Sequence, residues 1–245
     1  MKERSLTVVS NALVAKNTYE MVFRSNEETE FRPGQFVNVT IGDGFTLKRP
    51  FAVKSFSDGG KTFSICYAVV GAGTEALKGK RSGDTVNVTY PLGNGFLMII
   101  PKPKRIALIG GGAGIYPLDC VKCGFPSAEI KAYYGFRSAE YVIPGLDGVI
   151  CTDDGSAGIH GNSVDAFFAN EDPDSFDYIL ACGPRPMLLA LQSRCADVKA
   201  KVLASLEARM GCGVGACLAC AVKVNGENMR VCRDGPVFDI REVEL

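Results

Sequence analysis

Histidine is almost missing from this chain: His160 is the only one in 245 residues. That excludes a metal site built on several histidines and any catalytic dyad needing two, and it moves the expected chemistry from side chains to bound cofactors. Net charge is missing too. Twenty-seven basic residues meet twenty-seven acidic ones, so nothing in the balance asks for DNA, RNA or an anionic membrane as partner. Long apolar runs are also absent. The start, MKERSLTVVS, has no signal-peptide core, and stretches such as Phe96–Ile100 and Ile106–Ile109 are strand-sized, far short of a bilayer span. A cytoplasmic, well-cored protein is the default expectation, with 47% of residues hydrophobic and 22% charged.

Cysteine, by contrast, is abundant at ten copies, but only four are spaced as ligands. Cys212, Cys217 and Cys220 form C-x4-C-x2-C, and Cys232 follows after eleven intervening residues. Three close thiolates and one remote one is the plant-type pattern for a 2Fe-2S cluster. Gly211, Gly213 and Gly215 let the chain curl so that backbone N–H groups face the sulfurs, and the small Ala216 and Ala219 permit close approach. A polar turn, Asn225-Gly226-Glu227-Asn228, would return the strand Met229–Val231, and with it Cys232, to the other three. Structural zinc, disulfides and inert core thiols are the alternatives. Zinc sites with four cysteines usually pair two C-x2–4-C knuckles, and disulfides suit an exported chain better. Cys66, Cys151, Cys182 and Cys195 read as buried small side chains. Cys120 and Cys123 form C-x2-C on a helix, as packing thiols or as a redox pair.

The patterning divides the chain into residues 1–100, 101–206 and 207–245. The first segment has almost no helical periodicity. It offers short strands (Leu6–Val9, Thr18–Arg24, Phe36–Thr40, Phe51–Phe56, Thr62–Val69, Thr85–Thr89 and Phe96–Ile99) punctuated by Gly-rich turns. A small closed antiparallel barrel is expected. After a PKPK linker, strands alternate with helices, which predicts a parallel sheet covered on both faces. The fold class is therefore multidomain β and α/β: an antiparallel barrel, a nucleotide-binding parallel-sheet domain and a small C-terminal 2Fe-2S module.

Two stretches of the barrel suit a phosphate-bearing cofactor. Arg49-Pro50-Phe51-Ala52 combines a rigid donor fork with a backbone that can meet a ring edge-on. Gly71-Ala72-Gly73-Thr74 supplies backbone donors and a hydroxyl at the start of a short helical turn. In the middle segment, Arg105–Ile109 runs into Gly110-Gly111-Gly112-Ala113-Gly114, the strand–turn–helix opening of a nucleotide-binding unit. It is not G-x-G-x-x-G, and no clear acidic residue ends the second strand, which instead runs into Gly135-Phe136-Arg137-Ser138. The loops at Gly110–Gly114, Gly135–Ser138, Asp153–Ser156 and Cys182–Met187 should share one sheet edge, where a nucleotide would bind.

Together these motifs resemble the ferredoxin reductase superfamily. With Arg209-Met210-Gly211-Cys212 through Cys220 added, the chain resembles the electron-transfer subunits of NAD-dependent (class 1B) dihydroorotate dehydrogenases over essentially its whole length. The resemblance implies that the barrel holds FAD, that the α/β domain receives NAD and that the C-terminal module holds the cluster. It matches Arg49, Pro50, Phe51, Ala52, Cys66, Tyr67, Ala68, Gly73 and Thr74 to FAD. It places Gly110, Gly111, Gly112, Gly114, Cys182, Gly183 and Pro184 in the nicotinamide-side loops, and makes Cys212, Cys217, Cys220 and Cys232 the cluster ligands. It implies a partner, an FMN-containing catalytic subunit, in a heterotetramer of two copies of each, and no catalytic side chain in this subunit. Three positions depart from the pattern: Ala52 stands where a hydroxyl is usual, Ala68 where arginine often stands, and His160-Gly161-Asn162-Ser163-Val164 follows the usual run loosely. A reductase subunit coupled to ferredoxin or hydrogenase, and a non-catalytic redox sensor, are the competing readings. NAD against NADP is open, since Arg137 and Ser138 could meet a 2′-phosphate or sit in a loop that excludes it.

Overall fold

The computed structural model describes residues 2–96 and 102–245. The predicted strand Phe96–Ile99, beyond Phe96, and Pro101 of the linker lie outside them.

Six strands close the barrel: β1 (Lys2–Ala15), β2 (Thr18–Arg24), β3 (Phe36–Val39), β4 (Arg49–Ser57), β5 (Thr62–Ala68) and β6 (Thr85–Leu92), in the order β1-β2-β5-β4-β3-β6. All pairings are antiparallel. Alternation drives closure, since Leu6, Val8, Met21 and Phe23 turn inward from their strands and are almost wholly buried. Aromatic rings fill the interior, with Phe63 at 4.9 Å from Phe31 and 5.2 Å from Tyr90. The short helix α1 (Ala72–Lys78) follows β5 and opens on the Gly71–Thr74 stretch, as expected of its helical turn.

The second sheet is built from β7 (Arg105–Gly111), β8 (Glu129–Phe136), β9 (Val149–Thr152), β10 (Ile159–His160), β11 (Tyr178–Cys182) and β12 (Lys201–Ser205). Its order is β10-β9-β8-β7-β11-β12, all parallel. Ile106, Ala107, Leu108 and Ile109 are fully buried, the unbroken apolar run expected of a strand covered on both faces. Ala107 and Ile109 pack with α4 (Ser163–Asn170) and α5 (Arg185–Arg194). Ile106 and Leu108 pack with α2 (Ile115–Asp119) and α3 (Val121–Gly124). Helix α5 already starts at Arg185, inside the loop expected over Cys182–Met187, because Pro186 suits a first helical turn. Helix α2 also meets β4, so it joins barrel to sheet.

The C-terminal segment folds as a hairpin, β13 (Ala221–Val224) and β14 (Glu227–Arg230), and then a strand β15 (Val237–Asp239). Asn225 and Gly226 both have positive φ, at 51° and 77°, which a two-residue hairpin turn requires. β15 adds antiparallel to β12, making the sheet seven-stranded. The side chain of Asn94, beyond β6, donates to the carbonyls of Asp234 and Val237 at 3.1 and 3.2 Å, tying barrel to cluster segment. Among the described residues no helix is long and apolar enough to cross a membrane.

Candidate functional site

The loop 211–217 curls around its own sulfurs. Cys212 Sγ accepts the N–H groups of Val214, Ala216 and Cys217 at 3.4, 3.2 and 3.4 Å, and Cys212 N–H donates to Cys217 Sγ at 3.4 Å. Gly215 N–H donates to Cys232 Sγ at 3.1 Å, and Cys232 N–H to Cys220 Sγ at 3.4 Å. The hairpin makes the last contact, since Val231 N–H bonds the Cys220 carbonyl at 3.0 Å. All four thiols are therefore joined through backbone donors. Gly213 and Gly215, at φ 71° and 84°, supply the left-handed backbone that this curl needs.

These donors set the thiols' chemistry. The Val214 N–H, ahead of the opposing desolvation, brings the Cys212 thiol down to about 6. Burial pushes Cys232 up to about 12, with Cys220 alongside adding to the shift. A buried thiolate there calls for a metal cation as its counter-charge. Three close thiols and a remote fourth, each touching a backbone donor, are the ligand arrangement of a 2Fe-2S cluster.

Arg230 and Asp234 brace this loop. Arg230 Nε and Nη2 donate to Asp234 Oδ2 and Oδ1 at 2.8 and 3.0 Å, and Arg230 Nη1 reaches the Gly215 carbonyl at 3.4 Å. The Arg230 guanidinium holds the Asp234 carboxyl below its usual range. Its support is therefore present above the ordinary carboxylate value of about 4 and is lost as pH falls through the lower folded one. Asp234→Asn at neutral pH is expected to speed iron loss to a chelator by about tenfold or more, with FAD content unchanged. An unaltered rate would show that the pair does not support the loop.

From the barrel side, Asn38 on β3 donates to the Cys212 carbonyl at 3.4 Å, and its buried Oδ1 has no partner among the described residues. Asn38 pairs with Pro50 across β3 and β4, so the cluster loop rests beside the Arg49–Ala52 stretch.

A cavity of about 610 Å³ lies between barrel, sheet and cluster segment. Arg49, Pro50, Phe51, Ala52, Cys66, Tyr67, Ala68, Gly73 and Thr74 all line it. Cys182 lines it as well, although its loop was expected on the nicotinamide side. The Thr74 hydroxyl is partly engaged, accepting from Val70 and Gly71 N–H at 3.0 and 3.2 Å. Tyr67 is held by Asn11 Oδ1 at 2.9 Å, and burial pushes its phenol, and the Cys66 thiol, up to about 12. Both stay neutral toward a bound ring. Sequence reasoning missed Tyr116, Ser205 and Glu207 on this wall. Glu207 is exposed and lines this cavity, where partial removal from water raises its carboxyl.

A second cavity, about 480 Å³, opens at the carboxyl ends of β7, β8 and β9. Gly111, Gly112 and Pro184 line it, with Gly135, Arg137 and Asp153. So do Lys16 and Asn17 from the β1–β2 turn, which carry no motif and went unnoticed in the sequence. Gly110, Gly114 and Gly183 line neither cavity. They are packing positions: a Cβ would meet Ile115 at 2.8 Å from Gly110, the Cys182 carbonyl at 2.2 Å from Gly114, and Met187 at 2.6 Å from Gly183. His160 lies outside both, bonded to the Asp153 carbonyl at 3.1 Å. The four isolated cysteines are buried; Cys120 is buried and Cys123 exposed.

The electron transfer subunit of dihydroorotate dehydrogenase B (NAD(+)) from Geobacillus kaustophilus is 39% identical over 256 residues, covering 98% of each chain. That from Caldanaerobacter subterraneus is 37% identical, covering 96% of each. The chain belongs to this family. Its residues 207–244 match the family described as the iron-sulfur cluster binding domain of dihydroorotate dehydrogenase B. Among solved structures, an NADH-dependent reduced ferredoxin-NADP oxidoreductase described for flavin-based electron bifurcation superposes with a TM-score of 0.86. It is 30% identical, and the match covers 98% of this chain and 89% of that one. A ferredoxin NADP+ reductase from Neisseria gonorrhoeae shares the fold, with a TM-score of 0.65 at 16% identity, over 81% and 92%. This electron transfer subunit is thus an NAD-linked oxidoreductase of ferredoxin-reductase fold, with an iron–sulfur domain at its C-terminus.

Proposed function

We propose that this subunit carries electrons between a separate catalytic subunit that oxidises dihydroorotate and NAD+, in cytoplasmic pyrimidine biosynthesis. One observation supports it above the rest. The two cavities share Ala68 and Val70 as a wall, and the larger one is also lined by Met210, two residues before Cys212. Dinucleotide cavity, flavin cavity and thiol loop stand in a row.

In this reading, Cys212, Cys217, Cys220 and Cys232 hold a 2Fe-2S cluster, and the Arg49–Ala52, Cys66–Ala68 and Gly73–Thr74 stretches hold FAD. When bound, FAD exchanges a hydride with nicotinamide and single electrons with the cluster. The chain's residues bind and orient. Arg49 offers its guanidinium to a pyrophosphate, Tyr67 and Phe51 present rings to the cavity, and Gly111 and Gly112 let a dinucleotide approach the backbone. No side-chain acid or base is needed. Cys217 is exposed at the protein surface beside Val214 and Leu218, which are 37% and 62% exposed. That apolar rim is where the FMN-containing catalytic subunit docks, two copies of each subunit forming a heterotetramer.

The purified chain should reduce its own flavin with NADH, yet convert NADH and orotate to dihydroorotate only after the catalytic subunit is added. Full-rate orotate reduction by the isolated chain would overturn the accessory-subunit reading. The likeness to the reduced ferredoxin-NADP oxidoreductase favours a second reading, a ferredoxin-coupled reductase. Activity with reduced ferredoxin, and none with the dihydroorotate-oxidising subunit, would select it.

A further inference from the structure

We propose that Glu140 selects NAD over NADP by occupying the donors that a 2′-phosphate would need. The inference rests on reading the smaller cavity as the nicotinamide nucleotide site. In an open parallel sheet a dinucleotide crosses the carboxyl ends of the strands, and its adenosine ribose meets the end of the strand after the glycine turn. That strand is β8, whose end brings Gly135, Phe136 and Arg137 into the cavity. Arginine followed by serine, as at Arg137 and Ser138, is a pair of donors suited to phosphate.

The turn Ala139–Tyr141 changes what those donors can do. Glu140 Oε1 accepts from Ser138 Oγ at 3.4 Å and from Lys16 Nζ at 2.5 Å. Lys16 comes from the β1–β2 turn of the barrel. Its backbone N–H donates to the Glu140 carbonyl at 2.8 Å, and its ammonium lies 5.3 Å from the centre of the Tyr141 ring. Lys16, Arg137 and Tyr141 all line the cavity, which places Glu140 at its rim. Asp153 adds a second carboxylate on the cavity wall.

Two of the three nearby donors, Lys16 and Ser138, are therefore already turned to a carboxylate. A dianionic 2′-phosphate would meet that carboxylate at short range and be repelled, where a neutral 2′-hydroxyl can donate to it. The acidic residue that recognises ribose is present after all. It arrives four residues past the end of β8, and it is held in place by a lysine from another domain.

The test uses the full-length protein with FAD and cluster bound. Binding of NAD+ and NADP+ is measured by titration calorimetry, and flavin reduction by NADH and NADPH is followed in parallel. Glu140→Gln is expected to tighten NADP+ about tenfold and to weaken NAD+ about threefold, because a neutral amide oxygen accepts more weakly from the ribose 2′-hydroxyl than a carboxylate does. The double variant Glu140→Gln/Ser138→Ala should lose most of that gain. An unchanged ratio of the two affinities in Glu140→Gln, with wild-type FAD content and melting temperature, would overturn the assignment and leave Lys16–Glu140 as an inter-domain contact only. Wild-type protein that binds neither dinucleotide would instead sink the cavity reading, and this inference with it.

Discussion

Replacing Cys232 with serine is expected to strip the chain of iron while leaving FAD in place. Cys232 is almost fully buried, takes the Gly215 N–H on its sulfur, and gives its own N–H to Cys220. Removing its sulfur takes away the proposed fourth ligand and the Gly215 contact that joins the hairpin to the loop 211–217. A serine oxygen is too hard and too basic to replace a thiolate on iron. Losing even a supporting contact of a metal site costs about 10–100-fold, so losing a ligand should cut electron transfer with the catalytic subunit by at least about a hundredfold. Reduction of FAD by NADH should remain, because the cavity walls keep all their residues. Iron analysis, visible absorbance and the electron paramagnetic spectrum of the reduced protein check this. Wild-type iron content in Cys232→Ser would remove Cys232 from the ligand set.

Gly114→Ala should do the reverse, sparing the cluster loop and damaging the flavin site. An added Cβ would lie 2.2 Å from the Cys182 carbonyl oxygen and 2.5 Å from the Gly183 nitrogen. Both are backbone atoms of the β11 end, so neither can swing aside, and α2 must retreat from the sheet. Tyr116 and Pro117 on α2, and Cys182 itself, line the larger cavity. Overpacking of this kind costs about 3 kcal/mol. The expected result is a lowered denaturation midpoint and weakened FAD retention, with iron content per folded chain unchanged. An unchanged midpoint would show that α2 has room to shift.

The legible parts of the site were local ones. Cys212, Cys217 and Cys220 lie within nine residues of one another, and the intervening glycines dictate how that stretch curls, so spacing alone announces the chemistry. Arg49–Ala52 and Gly73–Thr74, each a short run whose own backbone presents donors, came together on one cavity wall. Gly110, Gly114 and Gly183 were legible as special glycines but not in their role. A glycine that touches a ligand and one that lets a helix approach a strand are written identically, and only the neighbouring chain tells them apart.

The amino-acid order by itself determined the antiparallel barrel, the parallel sheet and the four-thiol segment, because alternation, unbroken apolar runs and ligand spacing act over a few residues. The three-dimensional arrangement decided what lies across the cavities from those motifs. Lys16 and Asn17, Tyr116, Glu207 and the Lys16–Glu140 bridge come from segments widely separated in the chain. Barrel closure and the docking of α2 bring them together, and no local pattern encodes a contact whose two halves lie 124 positions apart.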